Sequence, residues 1–528
     1  MQLFFYYSPL LSLLTSYLFL ITQKISLKIL FFFLLGTLSF FHVKNTLLFL
    51  FFFILYSIIP EKFFALLSIF YTSYVLSRYS KTLIHFIENL FHKLFHKNSS
   101  SFLVLYSYVF LIFFSSCCFY FFSLTKIDLS LLETVFISSS LVTNTCFLPY
   151  EFHTLFNQHG IVFVLCILQL GGLGILSLSS FLLVILGKSF SLKENLFFSA
   201  NFNINKKDSI KNLLVPLFSY VFILEFLGFL FLSPYFYFIE KKTFFYSLFL
   251  ALFHSVSAFC QSGLVLIHQN HPYFLTIIGC LIFLSSLGFF IIYDFYLLVR
   301  KKKLFLSLQS KISLMMTFFF IVIPTLLFFI LEFHHALKEY SLLQKIGYSL
   351  FHTISSRTSG FTIFPLNHLS YLSLFLTGLI MFIGGASGST TGGIKLSTFF
   401  VLLLSIKAFF KENHIVTVFQ RILPLKVFFK AITLFFITAS FLVFSFSCLL
   451  FLENESHFFN IFFEMISVFS TTGFSLGLVN ELQTFSKILF ICLMIFGKIG
   501  ILAFVFIFQS KKHKSNQIFH PEEEIMIG

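Results

Sequence analysis

Charge is scarce in this sequence and tryptophan is absent from it. Only 10% of the 528 residues are charged, 58% are apolar, and the mean hydropathy is +0.97. Those proportions exclude a water-soluble fold, because a chain of this size cannot hide so much apolar surface from solvent. Apolar runs at 102–124, 213–232, 314–331 and 431–452 are each long enough to cross roughly 30 Å of hydrocarbon as a helix. The N-terminus, MQLFFYYSPLL, lacks the basic region and cleavage site of a secretory signal and reads as a retained segment. Enzyme signatures are missing as well. There is no HExxH and no GxGD to partner Tyr293–Asp294 as a second intramembrane aspartate. The eight cysteines form no C-x-x-C pair, and those within apolar spans read as small packing residues, with Cys146 the exception.

What charge there is has a pattern. The net charge is +15, yet no basic stripe with stacking platforms exists, so nucleic acid is not an expected partner. Basic residues gather in alternate connections: Lys188, Lys193, Lys206, Lys207 and Lys211; Arg300 to Lys303 and Lys311; Lys407, Lys411, Arg421, Lys426 and Lys430; and Lys511, Lys512 and Lys514. The intervening loops carry Glu133, Glu151, Glu240, Glu332, Glu339, Glu453 and Glu455. The positive-inside rule assigns the first set, with the C-terminus, to the cytoplasm. The expected location is the plasma (inner) membrane.

Residues 1–98 hold about three apolar spans ending in a basic link, where His92 and His96 at i, i+4 read as a solvated face, not a chelate. Beyond them the chain repeats. Four units are expected at 99–190, 208–300, 311–408 and 427–510, followed by a cytoplasmic tail, 511–528. Each contains a long apolar span, a short Ser/Thr-rich segment and a second span. The short segments are FISSSLVTNTCF (136–147), FHSVSAFCQSGL (253–264), FHTISSRTSGF (351–361) and FEMISVFSTTGF (463–474). Aligned on the first Phe, a serine recurs four residues later at Ser140, Ser257, Ser355 and Ser467. A glycine then follows at Gly263, Gly360 and Gly473, with Cys146 in the equivalent place of the first unit. The spacing from Phe to that position is 10, 10, 9 and 10 residues.

These segments are too short to span the bilayer as helices and too polar to face lipid. Non-helical backbone at membrane depth survives where it is buried in protein or lines a watery cavity. A short helix that dips in and returns as an extended, glycine-bearing strand satisfies that condition. Four such hairpins around one axis make a ring of carbonyls suited to a cation, toward which the short helices point their negative ends. The expected fold is an all-α membrane protein of four pseudo-symmetric helix–pore-loop–helix units around one ion pore, preceded by extra N-terminal transmembrane helices.

At these residues the chain resembles the bacterial Trk/Ktr potassium-transporter subunits, relatives of the fungal Trk and plant HKT proteins. The third unit carries the likeness most fully, in FHTISSRTSGF (351–361) and MFIGGASGSTTGGIKLSTF (381–399). Further matches are QLGGLGILSLS (169–179), LGFFIIYDFYLL (287–298), FSTTGFSLGL (469–478), MIFGKIGILAF (494–504) and the ending HPEEEIMIG. The resemblance implies uptake of potassium or another monovalent cation, a homodimer with one pore per subunit, and a separate cytosolic nucleotide-binding regulatory ring. This chain has no dinucleotide fingerprint of its own. Potassium, or sodium, is the transported ion and no covalent cofactor is implied. Carried over position by position, the filter comprises Asn144, Thr145 and Cys146; Gln261, Ser262 and Gly263; Thr358, Ser359 and Gly360; and Thr471, Thr472 and Gly473.

Two departures stand out. Cys146 occupies the place of a filter glycine, where a serine in plant relatives accompanies sodium preference; a sodium-preferring channel is the alternative. Lys498 stands where the family has an arginine, and a point charge lacks the planar fork. Residues 384–393, with five glycines in ten positions, cannot favour a helix. The resemblance makes Gly384, Gly385, Ser387, Gly388, Ser389, Thr390, Thr391, Gly392 and Gly393, with Lys395 and Lys498, a gate beneath the filter. Lys395 is expected to anchor that strand or touch the opposite span. Lys498, mid-span, is expected to face a cavity or a carboxylate. Arg357 is expected to brace the pore, bonding to Glu464, while His254 and His352 pack the pore helices. The rival to a channel is a carrier coupled to protons, with Asp294 as its intramembrane carboxylate.

Overall fold

The computed structural model describes residues 100–174, 210–267, 270–301, 303–411, 416–453, 458–480 and 482–500. The spans expected within 1–98, most of the linker 187–212 and the tail 511–528 lie outside the described residues.

The described chain is helical, with one two-residue-per-strand hairpin. The first unit contains α1 (Ser100–Phe121), α2 (Leu131–Val142) and α3 (Gln158–Leu173). The second contains α4 (Ile210–Pro234), α5 (Phe244–Cys260), α6 (Pro272–Ser286) and α7 (Phe289–Val299). The third contains α8 (Leu308–Glu332), α9 (Leu342–Thr358), α10 (Tyr371–Phe382) and α11 (Leu396–Phe410). The fourth contains α12 (Leu425–Leu452), α13 (Phe458–Phe469) and α14 (Thr484–Ile499). Among the described residues, α1, α4, α8 and α12 are the single helices long and apolar enough to cross a membrane. They lead the four units.

Inside each unit the leading span packs on the short helix that follows, as α1 on α2, α4 on α5, α8 on α9 and α12 on α13. Between units a second rule holds. The second span of each packs on the short helix of the next: α3 on α5, α6 on α9, α10 on α13, and α14 back on α2. The last contact closes a ring. Outward faces stay apolar and exposed, for example Phe113, Phe226, Phe319 and Phe444, as lipid requires.

Helix α3 ends at Gly174 (φ 77°), α6 breaks at Gly288 (79°) and α14 ends at Gly500 (85°), while α10 ends at Phe382, ahead of the segment that holds Gly388 (80°). At Gly288 the break bends α6 against α7 by 86°. Helix α7 is then fixed to α8 through Asp294. This side chain accepts hydrogen bonds from the Ser307 backbone N–H (2.9 Å) and from the hydroxyls of Ser307 and Ser310, and pairs with Lys303 at 2.5 Å. Asp294 thus ties α7 to the N-terminus of α8, whose own cap is Ser307.

A hairpin, β1 (Thr417–Val418) and β2 (Arg421–Ile422), sits in the linker 407–430. Lys311 lies 5.7 Å above the ring of Phe419 at its tip, so the basic connections 300–312 and 407–430 occupy the same end of the bundle.

Candidate functional site

The short helices α2, α5, α9 and α13 end facing one another, and the chain turns at each end. The recurrent serine organises every turn. Its carbonyl accepts the backbone N–H of the middle turn residue: Thr145 from Ser140 (2.9 Å), Ser262 from Ser257 (3.0 Å), Ser359 from Ser355 (2.8 Å) and Thr472 from Ser467 (3.0 Å). In three units its hydroxyl also donates to the carbonyl beyond the turn, Ser140 to Phe147 (2.9 Å), Ser257 to Leu264 (2.7 Å) and Ser355 to Phe361 (2.6 Å). In the fourth, Ser467 meets the Thr472 hydroxyl at 3.2 Å. A serine buried at the end of a helix therefore fixes both limbs of an otherwise unpaired strand. The sequence shows these serines as a repeat, but their bracketing role needs the return strand in place.

The unequal spacing has a local cause. In units one, two and four the first turn residue is left-handed: Asn144 (φ 58°), Gln261 (59°) and Thr471 (56°). In unit three the helix continues through Thr358, which makes that left-handed residue unnecessary and shortens the motif by one. The third turn residue has positive φ in all four units: Cys146 (51°), Gly263 (69°), Gly360 (73°) and Gly473 (82°).

Those third residues define the ring. A Cβ placed on Gly263 would lie 2.4 Å from the carbonyl oxygen of Ser359, on Gly360 1.9 Å from that of Thr472, and on Gly473 2.0 Å from that of Thr145. Each glycine thus backs onto the middle carbonyl of the next unit. Cys146 completes the cycle beside Ser262, with a real Cβ and thiol where the other seams have none. First and middle residues are buried in all four turns, while the third is partly accessible. The twelve residues singled out from sequence are therefore brought to one axis.

Below them, the segment 384–393 leaves α10, crosses the ring and returns. Its ends are tied by a parallel bridge, Ile383 with Ile394, and by Gly384 N–H to Ile394 O at 3.0 Å. One edge touches unit two, where Phe289 N–H donates to Gly388 O (3.2 Å). The other touches unit four, where a Cβ on Gly392 would lie 2.6 Å from the Thr471 hydroxyl. Units two and four are opposite in the ring, so the segment passes across the axis. Gly385 N–H donates to Thr391 Oγ1 (3.1 Å), Ser389 Oγ to Thr391 Oγ1 or the reverse (2.7 Å), and Ser387 pairs with Ser397 (2.7 Å). Lys395 donates to Thr391 O (2.5 Å), and Lys498, reaching from α14, donates to Thr390 O (2.7 Å). Lys498 therefore meets a carbonyl, not a carboxylate. Both lysines border a cavity of about 300 Å³ between the segment, α3 and α4.

Other expectations are revised. Among the described residues no hydrogen bond joins Arg357 to Glu464. Glu464 Oε1 instead gathers its own unit's return loop, accepting from Ser475 Oγ (2.8 Å), Leu476 N–H (2.9 Å) and Leu478 N–H (2.9 Å). A carboxylate eleven residues before a loop rich in free N–H groups prefers that nearer set of donors. Arg357 is buried with Nε and Nη2 unpartnered. His254 and His352 pack the short helices. His254 lies against Phe236 and Phe274 with Nδ1 2.8 Å from Leu250 O, and His352 stacks on Phe328 at 4.1 Å. The sequence analysis missed a second repeat, GGLG (171–174), SSLG (285–288), GASG (385–388) and GKIG (497–500), whose last glycines all have positive φ. The signal was a small residue three before each glycine. At Gly171 and Gly497 a Cβ would strike the Val142 and Phe469 carbonyls at 2.1 and 1.8 Å, so this residue lets the second span press on its own short helix.

Four long apolar spans, each leading a short helix, with the short helices linked in a closed ring of contacts, define an integral membrane protein. The family model of the TrkH cation transport proteins matches residues 120–521, and the chain belongs to that family. It is 31% identical over 416 residues to the Ktr system potassium uptake protein B of Bacillus subtilis (strain 168), covering 77% of this chain and 91% of the relative. It is 28% identical over 419 residues to the potassium/sodium uptake protein NtpJ of Enterococcus hirae, covering 77% and 92%. The potassium transporter TrkH from Vibrio parahaemolyticus has the same fold, with a TM-score of 0.63, 18% identity and coverage of 78% of this chain and 86% of that one.

Proposed function

We propose that this protein takes up potassium across the plasma membrane through a filter made by the twelve turn residues. The observation that carries the reading is the ring in which Gly263, Gly360 and Gly473 each back onto the next unit's middle carbonyl while Cys146 lies beside the Ser262 side chain. Such a ring offers successive layers of backbone oxygen to a dehydrated cation. Uptake of potassium by the Bacillus relative and of potassium or sodium by the Enterococcus relative agrees with it. The segment 384–393, stretched from unit two to unit four beneath the ring, acts as the gate, and Lys498 adds a positive barrier there. A homodimer with a cytosolic nucleotide-binding ring moves the gate by preferring one of its two positions. The C-terminus faces the cytoplasm.

Cys146 favours a second reading for selectivity. Its Cβ stands at a seam whose three counterparts leave no room for one, so the first unit's carbonyl is displaced and sodium gains relative to potassium. Reconstitution into liposomes, with potassium and sodium flux measured side by side, tests both. Cys146→Gly should raise the potassium-to-sodium ratio, and a tenfold change corresponds to about 1.4 kcal/mol. An unaltered ratio in folded, conducting protein removes Cys146 from the filter. Absence of any cation flux, with or without the cytosolic partner, removes the uptake reading itself.

A further inference from the structure

Glu225 stands in the middle of α4, within a membrane span, and has no ion-pair partner among the described residues. A carboxylate kept at that depth normally has a job. Its backbone carbonyl accepts from Ser255 Oγ (2.6 Å), and Gly228, one turn on, presses on the same serine, where a Cβ would lie 2.4 Å from the hydroxyl. Close contact between α4 and α5 thus fixes the height of Glu225.

From the carboxylate a chain of hydrogen bonds runs to the ring. Gln169 on α3 donates through Nε2 to both carboxylate oxygens, at 2.9 and 3.0 Å. The Gln169 Oε1 atom accepts from the Cys260 thiol at 3.4 Å. Cys260 ends α5, and its carbonyl accepts from Asn144 Nδ2 at 2.9 Å. Asn144 opens the turn of unit one, and Gln261, next to Cys260, opens that of unit two. The space around the chain is closed, since a Cβ on Gly172 would lie 2.9 Å from both Asn144 Nδ2 and Cys260 Sγ. The acid end dictates the orientation of the Gln169 amide, because a carboxylate demands N–H and so turns the amide oxygen toward the thiol.

Among the described residues, the next seam has no such brace from its first turn residue. Gln261, the counterpart of Asn144, keeps its side chain inside its own unit, donating to Ser285 Oγ at 2.9 Å. The braced seam joins units one and two, the one where Cys146 replaces a glycine. A ring that admits a Cβ at one seam must be held open there, or it would collapse onto the thiol. We infer that Glu225, acting through Gln169, is a positioning residue that sets the width of the unit one–unit two seam and thereby the ion preference of the filter. The inference rests on the filter reading above.

The test uses the full chain in liposomes and reads the potassium-to-sodium flux ratio for Glu225→Gln, Gln169→Leu and the double variant. Glu225→Gln keeps the volume and removes the charge, leaving Gln169 free to turn. Each single change should shift the ratio at least threefold, and the double variant should shift it no further, because both sever one chain. Glu225→Asp, which keeps the charge, should restore part of the ratio. A merely structural role would lower yield or melting temperature without moving the ratio. Additive effects, or an unchanged ratio in folded and conducting Glu225→Gln, overturn the inference. So does proton movement alongside potassium flux that vanishes in Glu225→Gln, which would make Glu225 a proton carrier. Should Glu225→Gln not fold, Cys260→Ala cuts the same chain at its thiol and must shift the ratio alike; an unchanged ratio there is equally fatal. Cys146→Gly separates the two levels. If it moves the ratio while the brace variants do not, only this inference fails; if none of them does, the filter reading fails with it.

Discussion

At the scale of the residue, two kinds of constraint meet in each turn. Positive φ favours glycine, and the neighbouring carbonyl forbids a Cβ. Gly473 and Gly477 separate them. Both have positive φ, 82° and 99°, but a Cβ on Gly473 would sit 2.0 Å from the Thr145 oxygen, while nothing lies within 4 Å of one on Gly477. Alanine at either site bears a conformational cost of roughly 1–2 kcal/mol. At Gly473 it must also displace a backbone carbonyl of the ring. Gly473→Ala should therefore abolish flux, and Gly477→Ala should fold and conduct with a modestly lower melting temperature. Equal loss of flux in the two variants would show that strain, not the seam, governs the ring. Cys146 belongs to the same comparison. It tolerates φ 51° and brings a side chain, so its unit has accepted both costs.

At the scale of the element, the segment 384–393 stands out because it is non-helical, central and bonded at both edges to opposite units. It is tied within itself through Thr391 and Ser389, and outward by the Phe289 N–H on Gly388 O and the Lys498 ammonium on Thr390 O. Deleting residues 387–391 should give potassium flux that no longer depends on the cytosolic partner, with selectivity left to the four turns. Lys498→Ala removes one hydrogen bond, to Thr390 O, and one positive charge, and should raise basal flux more modestly. Flux assays with and without the partner decide the matter. A folded deletion variant that still requires its partner would make the segment a packing kink. The Asp294 cluster belongs to this scale too: it ties α7 to α8 across the basic connection.

At the scale of the whole molecule, orientation follows from where the basic connections lie. Arg300 to Lys303 precede α8, and the 407–430 linker meets them through Lys311 and Phe419. Both are assigned to the cytoplasm by the positive-inside rule. A cysteine placed at Lys301 should resist impermeant thiol reagents added outside intact cells and react after permeabilisation. Labelling from outside would invert the topology.

The membrane class and the four related short segments can be read directly from the amino-acid order. Hydropathy, a fixed Phe-to-Gly spacing and a recurring serine are all properties of neighbours along the chain. The one short spacing was legible too, as the number 9 in a series of tens, although its cause, a helix running through Thr358 in place of a left-handed residue, was not. Only tertiary structure decided what lies across space. It closed the ring through α14 on α2, gave Glu464 to its own loop and not to Arg357, and set Asp294 on Ser307 and Ser310 at the start of α8. It also laid Lys498 on the Thr390 carbonyl and joined Glu225 to the turns through two intervening side chains. The physical reason is common to all of these. A buried polar atom must find a partner, and which partner is nearest depends on helices brought together from distant parts of the chain, which no local pattern records.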